Sequence, residues 1–293
     1  MRFAILGITC LALQVGFGQD FSSIQIEKAS SGHRFVQTPL WSKAAAALLF
    51  CDVPSDQILA YLPGKGTAKY REEMAGPSAI AYDKENHVVV AQTKARRIIR
   101  LYPGDEKKFD ILADKFEGKR LNAPNDLVIR KDGQLYFTDP AFGNQADTRE
   151  LSFYGVYHLT PKGELTVIAK PKGRPNGLTL SPNGRILYVA NSDERKVYAY
   201  DLDGKGVASN ERVFVDQIDG PPDGLNVDEK GNLYIAANHI YIVSPQGKAL
   251  HTIQMGDKPS NMAFGDEDRM TLYITAKTGV YRARMKVKGV TTE

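Results

Sequence analysis

Apolar and polar residues alternate with period two in short runs along this chain, and the runs return in a fixed order. Six prolines open equivalent stretches: Pro39-Leu40-Trp41, Pro77-Ser78-Ala79, Pro124-Asn125-Asp126, Pro175-Asn176-Gly177, Pro222-Asp223-Gly224 and Pro259-Ser260-Asn261, spaced 38, 47, 51, 47 and 37 residues apart. Each leads to a second apolar run, such as Leu135-Tyr136-Phe137-Thr138, Leu187-Tyr188-Val189-Ala190 or Leu272-Tyr273-Ile274-Thr275, and then to a third, such as Val197-Tyr198-Ala199-Tyr200. Asn122 to Pro140 shows the unit most clearly. A Pro-Asn-Asp turn leads into Leu127-Val128-Ile129, the chain turns at Lys131-Asp132-Gly133, and it returns to Asp139-Pro140. An Asp-Gly turn between alternating apolar runs is a strong hairpin signal.

Five units carry a fourth run, for example Leu165-Thr166-Val167-Ile168 or Val213-Phe214-Val215, whereas the sixth runs out after Arg284. Upstream, Ser23-Ile24-Gln25-Ile26-Glu27 alternates without a partner of its own. Adding it to the sixth unit closes a ring and removes a sheet edge that would invite aggregation. The pattern therefore predicts an all-β chain: a six-bladed β-propeller of four-stranded antiparallel blades, closed by an N-terminal strand, as a single domain over residues 19–293. An open β-solenoid is the competing arrangement, but its repeats are usually shorter. Ala44 to Leu48 has helix propensity, yet alanines are also tolerated where a strand begins.

The 293 residues, 42% apolar and 25% charged, suit an ordinary globular domain. Residues 1–18 read as a signal peptide: Arg2 is followed by the apolar Phe3 to Val15 and the small-residue site Gly16-Phe17-Gly18. The expected mature chain begins near Gln19 and is exported, to a periplasm or outside the cell. Cys10 would leave with the signal, so Cys51 remains alone and no internal disulfide is expected. No membrane span is expected in the mature chain. Net charge is +4, with Lys94, Arg96, Arg97 and Arg100 the densest basic cluster. It is expected to be a solvated hairpin face, the functional alternative being attraction of an anionic substrate. No basic stripe interleaved with aromatics supports nucleic-acid binding, and the pattern does not specify an oligomeric state.

In a propeller the innermost strand of each blade begins at one mouth of the central channel, so the residue after each repeat proline is expected to face it. Three of the six are Asn125, Asn176 and Asp223, all oxygen donors at one register. Amide and carboxylate oxygens suit a hard divalent cation such as calcium or magnesium. Asn and Asp are also ordinary turn residues, but three at the same register favour a metal centre.

Asn122 to Pro140, Arg174-Pro175-Asn176-Gly177, Pro222-Asp223-Gly224, Ala190 to Asp193, Lys258 to Phe264 and Leu272 to Thr275 together resemble the SMP-30/gluconolactonase/LRE-like family. The resemblance runs from about residue 37 to 284. It implies a six-bladed propeller carrying a divalent cation, commonly calcium, that hydrolyses sugar lactones or related esters; relatives include phosphotriesterase-like and fluorophosphatase members. Carried over residue by residue, it implies metal ligands at Asn125, Asn176 and Asp223, with Asn125 also touching substrate. The family's fourth ligand is a Glu from an E-G-P-x-W run. The matching run here is Gln37-Thr38-Pro39-Leu40-Trp41, which puts Gln37 in that place. Gln keeps a carbonyl oxygen but removes a negative charge, which predicts weaker binding or a different cation: Ca²⁺, with Mg²⁺, Mn²⁺ and Zn²⁺ as alternatives. Glu27 is expected in the closing strand at the rim.

The resemblance assigns Asp223 as general base toward the attacking water, or nucleophile in some relatives. Asp126 is the second expected catalytic residue, either orienting Asn125 or bonding turn amides. Asp139 and Asp193 are expected to cap strand ends, His158 and His239 to serve packing, and the polar insertion from Gly143 to Ser152 to supply part of a lid. Other chemistries find little support. There is no G-x-S-x-G elbow, H-E-x-x-H helix or paired-cysteine zinc spacing, and Asp201-Leu202-Asp203-Gly204 is an incomplete calcium loop. The expected function is divalent-metal-dependent hydrolysis of small lactones or related esters. The alternative is a non-catalytic propeller that binds a ligand or partner through a weakened or structural metal site, with strictosidine-synthase-like chemistry a third reading.

Overall fold

The computed structural model describes residues 21 and 24–290, so the expected signal peptide lies outside the described residues. The chain forms six four-stranded antiparallel sheets arranged as a β-propeller. The innermost strands, in chain order, are Val36–Ser42, Pro77–Tyr82, Leu127–Ile129, Pro175–Leu180, Leu225–Val227 and Pro259–Gly265. The sixth blade takes its outermost strand from the other end of the chain: Ile26–Ser31 pairs with Gly279–Arg284. The expected closing strand thus forms, but three residues later than the alternation suggested. Glu27 sits opposite Arg282 and bonds it at 2.9 Å, which locks this register at the exposed rim. Ile24 precedes the strand and packs on the core beneath it. Residues 43–46 turn rather than coil into a helix, with Ala46 at a positive φ, and feed the strand Ala47–Asp52.

The inner strands place most of their Leu, Ile, Val and Tyr residues between neighbouring blades. The result is six apolar cores, each formed chiefly across one seam of the ring. Tyr136, Tyr157, Tyr234 and Tyr273, from the Leu-Tyr and following strands, are fully buried there. Each such large apolar side chain taken out of water contributes roughly 1.5–3 kcal/mol, so a disulfide is not needed; Cys51 is free and buried. No helix among the described residues is long and apolar enough to cross a membrane.

The repeat prolines explain how side chains reach the channel. Proline cannot donate to the ladder, and the pairing of the innermost strand slips between Gln37 and Leu40, Pro77 and Ala79, Pro175 and Leu178, and Pro259 and Asn261. A bulge of this kind re-aims the residue beside it. The glycines of the Pro-Asn-Gly and Pro-Asp-Gly turns are set by a different constraint, close approach. A Cβ on Gly177 would lie 2.2 Å from the Asp223 carbonyl oxygen, and one on Gly224 would lie 2.2 Å from Asn261 Cγ.

A belt of hydrogen bonds ties the blades together at this level. Thr38 Oγ1 donates to the Ser78 carbonyl (2.8 Å), Ser78 Oγ to Pro124 (3.1 Å), Thr138 Oγ1 to Asn176 (2.7 Å) and Ser192 Oγ to Pro222 (2.7 Å). The Gly224 amide donates to the Ser260 carbonyl at 2.7 Å, and Ser260 Oγ donates to Val36 at 2.7 Å. All six seams are therefore bridged next to the residues that face the channel, where buried carbonyls would otherwise lack partners.

Candidate metal centre and active site

A cavity of about 540 Å³ opens at the mouth where the innermost strands begin. Gln37, Asn125, Asn176 and Asp223, from four different blades, all line it. Asn176 donates its amide nitrogen to Ser192 Oγ at 3.0 Å. The Asn125 side chain has no partner among the described residues, while its backbone N–H is fixed to the Thr138 carbonyl at 2.9 Å. Asp223 lies on the cavity floor. Burial pushes its pKa up to about 7, against the pull of Lys258 and of hydrogen bonds from Gln37 and Asn176. Three amide oxygens and one carboxylate fit a hard divalent cation that needs oxygen ligands; with one negative charge among them, the set is a weak one.

Three of these residues are delivered by the same device. Asp52, at the end of its strand, accepts the backbone N–H groups of Arg34 and Phe35, both at 3.1 Å, just before Gln37. Asp139 accepts those of Asn122 and Ala123, both at 2.7 Å, just before Asn125. Asp193 accepts that of Arg174 at 2.9 Å and also binds its guanidinium, two residues before Asn176. The sequence reading expected Asp139 and Asp193 as strand caps, and each holds the segment that carries a cavity residue. Asp52 was missed, although Phe50-Cys51-Asp52 ends its strand as Phe137-Thr138-Asp139 does.

The insertion after the third blade's second strand forms a 3₁₀ turn, Gly143–Thr148, and Phe142, Gly143 and Gln145 line the cavity. Arg96 holds this turn from the second blade: it is buried and donates to the Thr148 carbonyl at 3.2 Å and to the Thr148 hydroxyl. The basic cluster is therefore only in part the solvated face expected from charge alone: Arg96 is buried, while Lys94 stays exposed. Lys94 pairs with Asp56 at 2.7 Å, Arg97 donates to Gln92 at 2.6 Å, and Arg100 meets Asp83 at 2.7 Å. Charge counting cannot see these partners, because they lie on other strands and turns.

Asp126 does not line this cavity. It lies 5% exposed beneath it and lines a second, more apolar cavity of about 220 Å³ along the innermost strands. Its carboxylate accepts N–H groups of Leu127 at 2.8 Å, Leu178 at 3.4 Å and the Asn261 amide at 3.3 Å. No bond from it to the Asn125 side chain exists among the described residues. Burial pushes its pKa up to about 7, opposed by the Leu127 N–H and reinforced by the Asp223 charge. Its bonding matches the turn-amide reading. Its electrostatic link to Asp223 is its connection to the site.

His158 bonds Gln134 at 2.6 Å and stacks on Tyr136, and His239 Nδ1 accepts the Met255 N–H at 3.1 Å, so both are packing groups. Asp83, Glu85 and His87 cluster in a turn of the second blade, remote from the cavity lining. Asp83 is already engaged there by Arg100 and by two backbone N–H groups.

The six-bladed propeller is the fold that solved relatives share. The profile of the SMP-30/gluconolactonase/LRE-like region matches residues 35–278, and the chain belongs to that family. It is 33% identical over 299 residues to a gluconolactonase of Zymomonas mobilis, covering 91% of this chain and 83% of that protein. Among solved structures, a gluconolactonase from Xanthomonas campestris superposes with a TM-score of 0.83 at 26% identity, covering 90% of both chains. A calcium-binding protein, regucalcin, from Agrobacterium tumefaciens has the same fold, with a TM-score of 0.75 at 18% identity over 89% of this chain and 96% of that one.

Proposed function

We propose that the protein is a divalent-metal-dependent lactonase of the gluconolactonase kind, acting on sugar lactones or related carboxylic esters. The observation that carries this reading is the convergence of Gln37, Asn125, Asn176 and Asp223, from distant parts of the chain, on one cavity of a size usual for small-molecule sites. Family membership and the gluconolactonases among its relatives support it. A divalent cation held by those four oxygens, calcium in the first instance, supplies when bound a Lewis acid for the lactone carbonyl.

The chain's own groups account for the rest. Asp223 is the base: its carboxylate takes the proton of a water that attacks the carbonyl carbon, the ring C–O bond breaks, and the ring oxygen leaves protonated. With a cation bound, this carboxylate stays ionised, the form that accepts the proton. Asn125, whose side chain has no partner among the described residues, would touch the substrate as well. Phe35, Val53, Phe142 and Pro221 form apolar walls that limit water on the substrate's flank. Asp126 acts only through its charge beneath Asp223. In this reading residues 1–18 export the enzyme before it acts.

The test is acid release from a panel of aldonolactones with calcium, magnesium, manganese or zinc added, alongside calorimetric titration of the same cations. Asp223→Asn is expected to lower kcat/KM by at least about a hundredfold, the usual scale for losing general-base catalysis. Cation binding without turnover of any lactone would instead favour a ligand-binding propeller. The neutral Gln37 is the observation that keeps that second reading in view.

A further inference from the structure

The charged side chains around the cavity are unevenly matched. Arg174 and Asp193 neutralise each other through bonds of 2.5 Å and 3.0 Å, and the ring of Phe142 covers the guanidinium. Asp223 sits on the floor among amides. Lys258 is left at the rim: exposed, lining the same cavity, acting electrostatically on Asp223, and without a carboxylate at ion-pair distance among the described residues. Its backbone is fixed, because the next residue, Pro259, is buried and opens the sixth blade's inner strand opposite Ala276. The nearby Lys277 is already tied to Asp257 at 3.3 Å and does not compete for the role.

Position 37 adds to the imbalance, since a glutamine there brings no charge. With a divalent ion in place, Asp223 offsets one of its two charges and Lys258 adds one back. A concave site of one sign concentrates ligands of the other.

We propose that Lys258 is a specificity-determining residue that selects lactones bearing a second, ionised group, a carboxylate or a phosphate, over neutral sugar lactones. The proposal rests on the lactone-hydrolase reading for its reaction, though not for its binding. The ammonium group at the rim receives the anion, and the ring ester then reaches toward Asp223 on the floor.

The experiment compares kcat/KM for D-glucaro-1,4-lactone, which carries a carboxylate, and for 6-phospho-D-glucono-1,5-lactone with that for neutral D-glucono-1,5-lactone. The wild-type protein is expected to favour at least one ionised lactone by about tenfold or more, and the larger ratio identifies carboxylate or phosphate as the preferred group. Lys258→Met should lower that ratio about tenfold, mainly through KM, while Lys258→Arg keeps it and added salt shrinks it. A wild-type ratio of one or less, or a ratio unmoved in Lys258→Met, overturns the proposal. Calorimetry with D-glucarate, the ring-opened dicarboxylate, separates the two readings. Lys258-dependent binding without turnover of any lactone sinks the hydrolase and keeps the anion site, whereas turnover with no dependence on charge does the reverse.

Discussion

The third and fourth blades present their asparagines to the cavity with the same device built from opposite materials. In the third, Asp139 is completely buried, and both carboxylate oxygens take backbone N–H groups at 2.7 Å. In the fourth, the Asp193 side chain is 38% exposed and divides its oxygens between the Arg174 backbone and guanidinium. Their acidities diverge accordingly. Burial pushes Asp139 up to about 7, with the two N–H bonds pulling the other way, whereas the Arg174 bond holds Asp193 below the usual carboxylate range. The contrast teaches that one geometric task can be met by a buried acid with no substitute, or by an exposed pair that water can replace.

The sharpest break in that comparison is Asp139→Ala. It strands the N–H groups of Asn122 and Ala123 inside protein, each at a cost of about 1–3 kcal/mol, in a place where Asn122 Oδ1 already lacks a partner among the described residues. A loss of about 4 kcal/mol is expected in denaturant unfolding. Cation binding measured by calorimetry should weaken as well, because Asn125 follows two residues after the freed segment. Wild-type stability with intact binding would show that the clamp does not position Asn125.

The opposite acidities give opposite pH dependence. The folded pKa of Asp139 lies above its unfolded value of about 3.8, so the folded chain holds the extra proton between there and about 7. Its contribution is whole below the unfolded pKa and is lost as pH rises through that window. The loss is a few kcal/mol, since each pKa unit is worth about 1.4 kcal/mol. Asp193 has its pKa lowered, so its smaller contribution is present above the unfolded value and lost only as pH falls below it. Urea titrations from pH 4 to 8 on wild type and Asp139→Asn test this directly, and a wild-type profile no steeper than the variant's would refute it.

Arg96→Ala probes an intermediate case, a buried side chain whose partners sit on an exposed segment. The carbonyl of Thr148 can turn to water once released, so the expected loss is about 1 kcal/mol. The clearer signal is local. Hydrogen exchange across Gly143–Thr148 should quicken, and KM for a lactone should rise more than kcat falls, because the turn lines the cavity without touching Asp223. Unchanged exchange in that turn would show that Arg96 is not what holds it.

Much of this was legible in the chain itself. Each blade carries its own proline and its own alternating runs, so order, number and closure followed from local pattern. The residues after Pro124, Pro175 and Pro222 share a register that brings all three to one cavity, with a bulge beside Asn176 alone of the three. What escaped was contact across strands. Arg96 reads as one charge in a basic run until the Gly143–Thr148 turn folds onto it. The Asp126 carboxylate follows Ala123 and Asn125 of the cavity in sequence, yet it turns to the N–H groups of Leu127 and Leu178 and lines the second cavity instead. The closing strand begins at Ile26 because an ion pair and a bulge fix its register, and neither has a period. Asp52, Asp139 and Asp193 recur at strand ends, but their purpose shows only when the partner N–H groups are in place.

Asp193→Ala is the mildest way to sharpen the comparison. It removes an ion pair at the rim and one acceptor for the Arg174 N–H, yet both groups left behind lie where solvent can reach them. Exposed pairs of this kind contribute about 0.2–1 kcal/mol, so thermal unfolding should shift by no more than a few degrees. Asn176 should stay in place, since Ser192 holds its amide and the Gly177 N–H is fixed to the Asp223 carbonyl at 3.0 Å, both independent of Asp193. Cation affinity is then expected within about threefold of wild type, a change of under 1 kcal/mol. A fall as large as that of Asp139→Ala would mean that the fourth blade depends on its clamp as heavily as the third, and that burial is not what separates them.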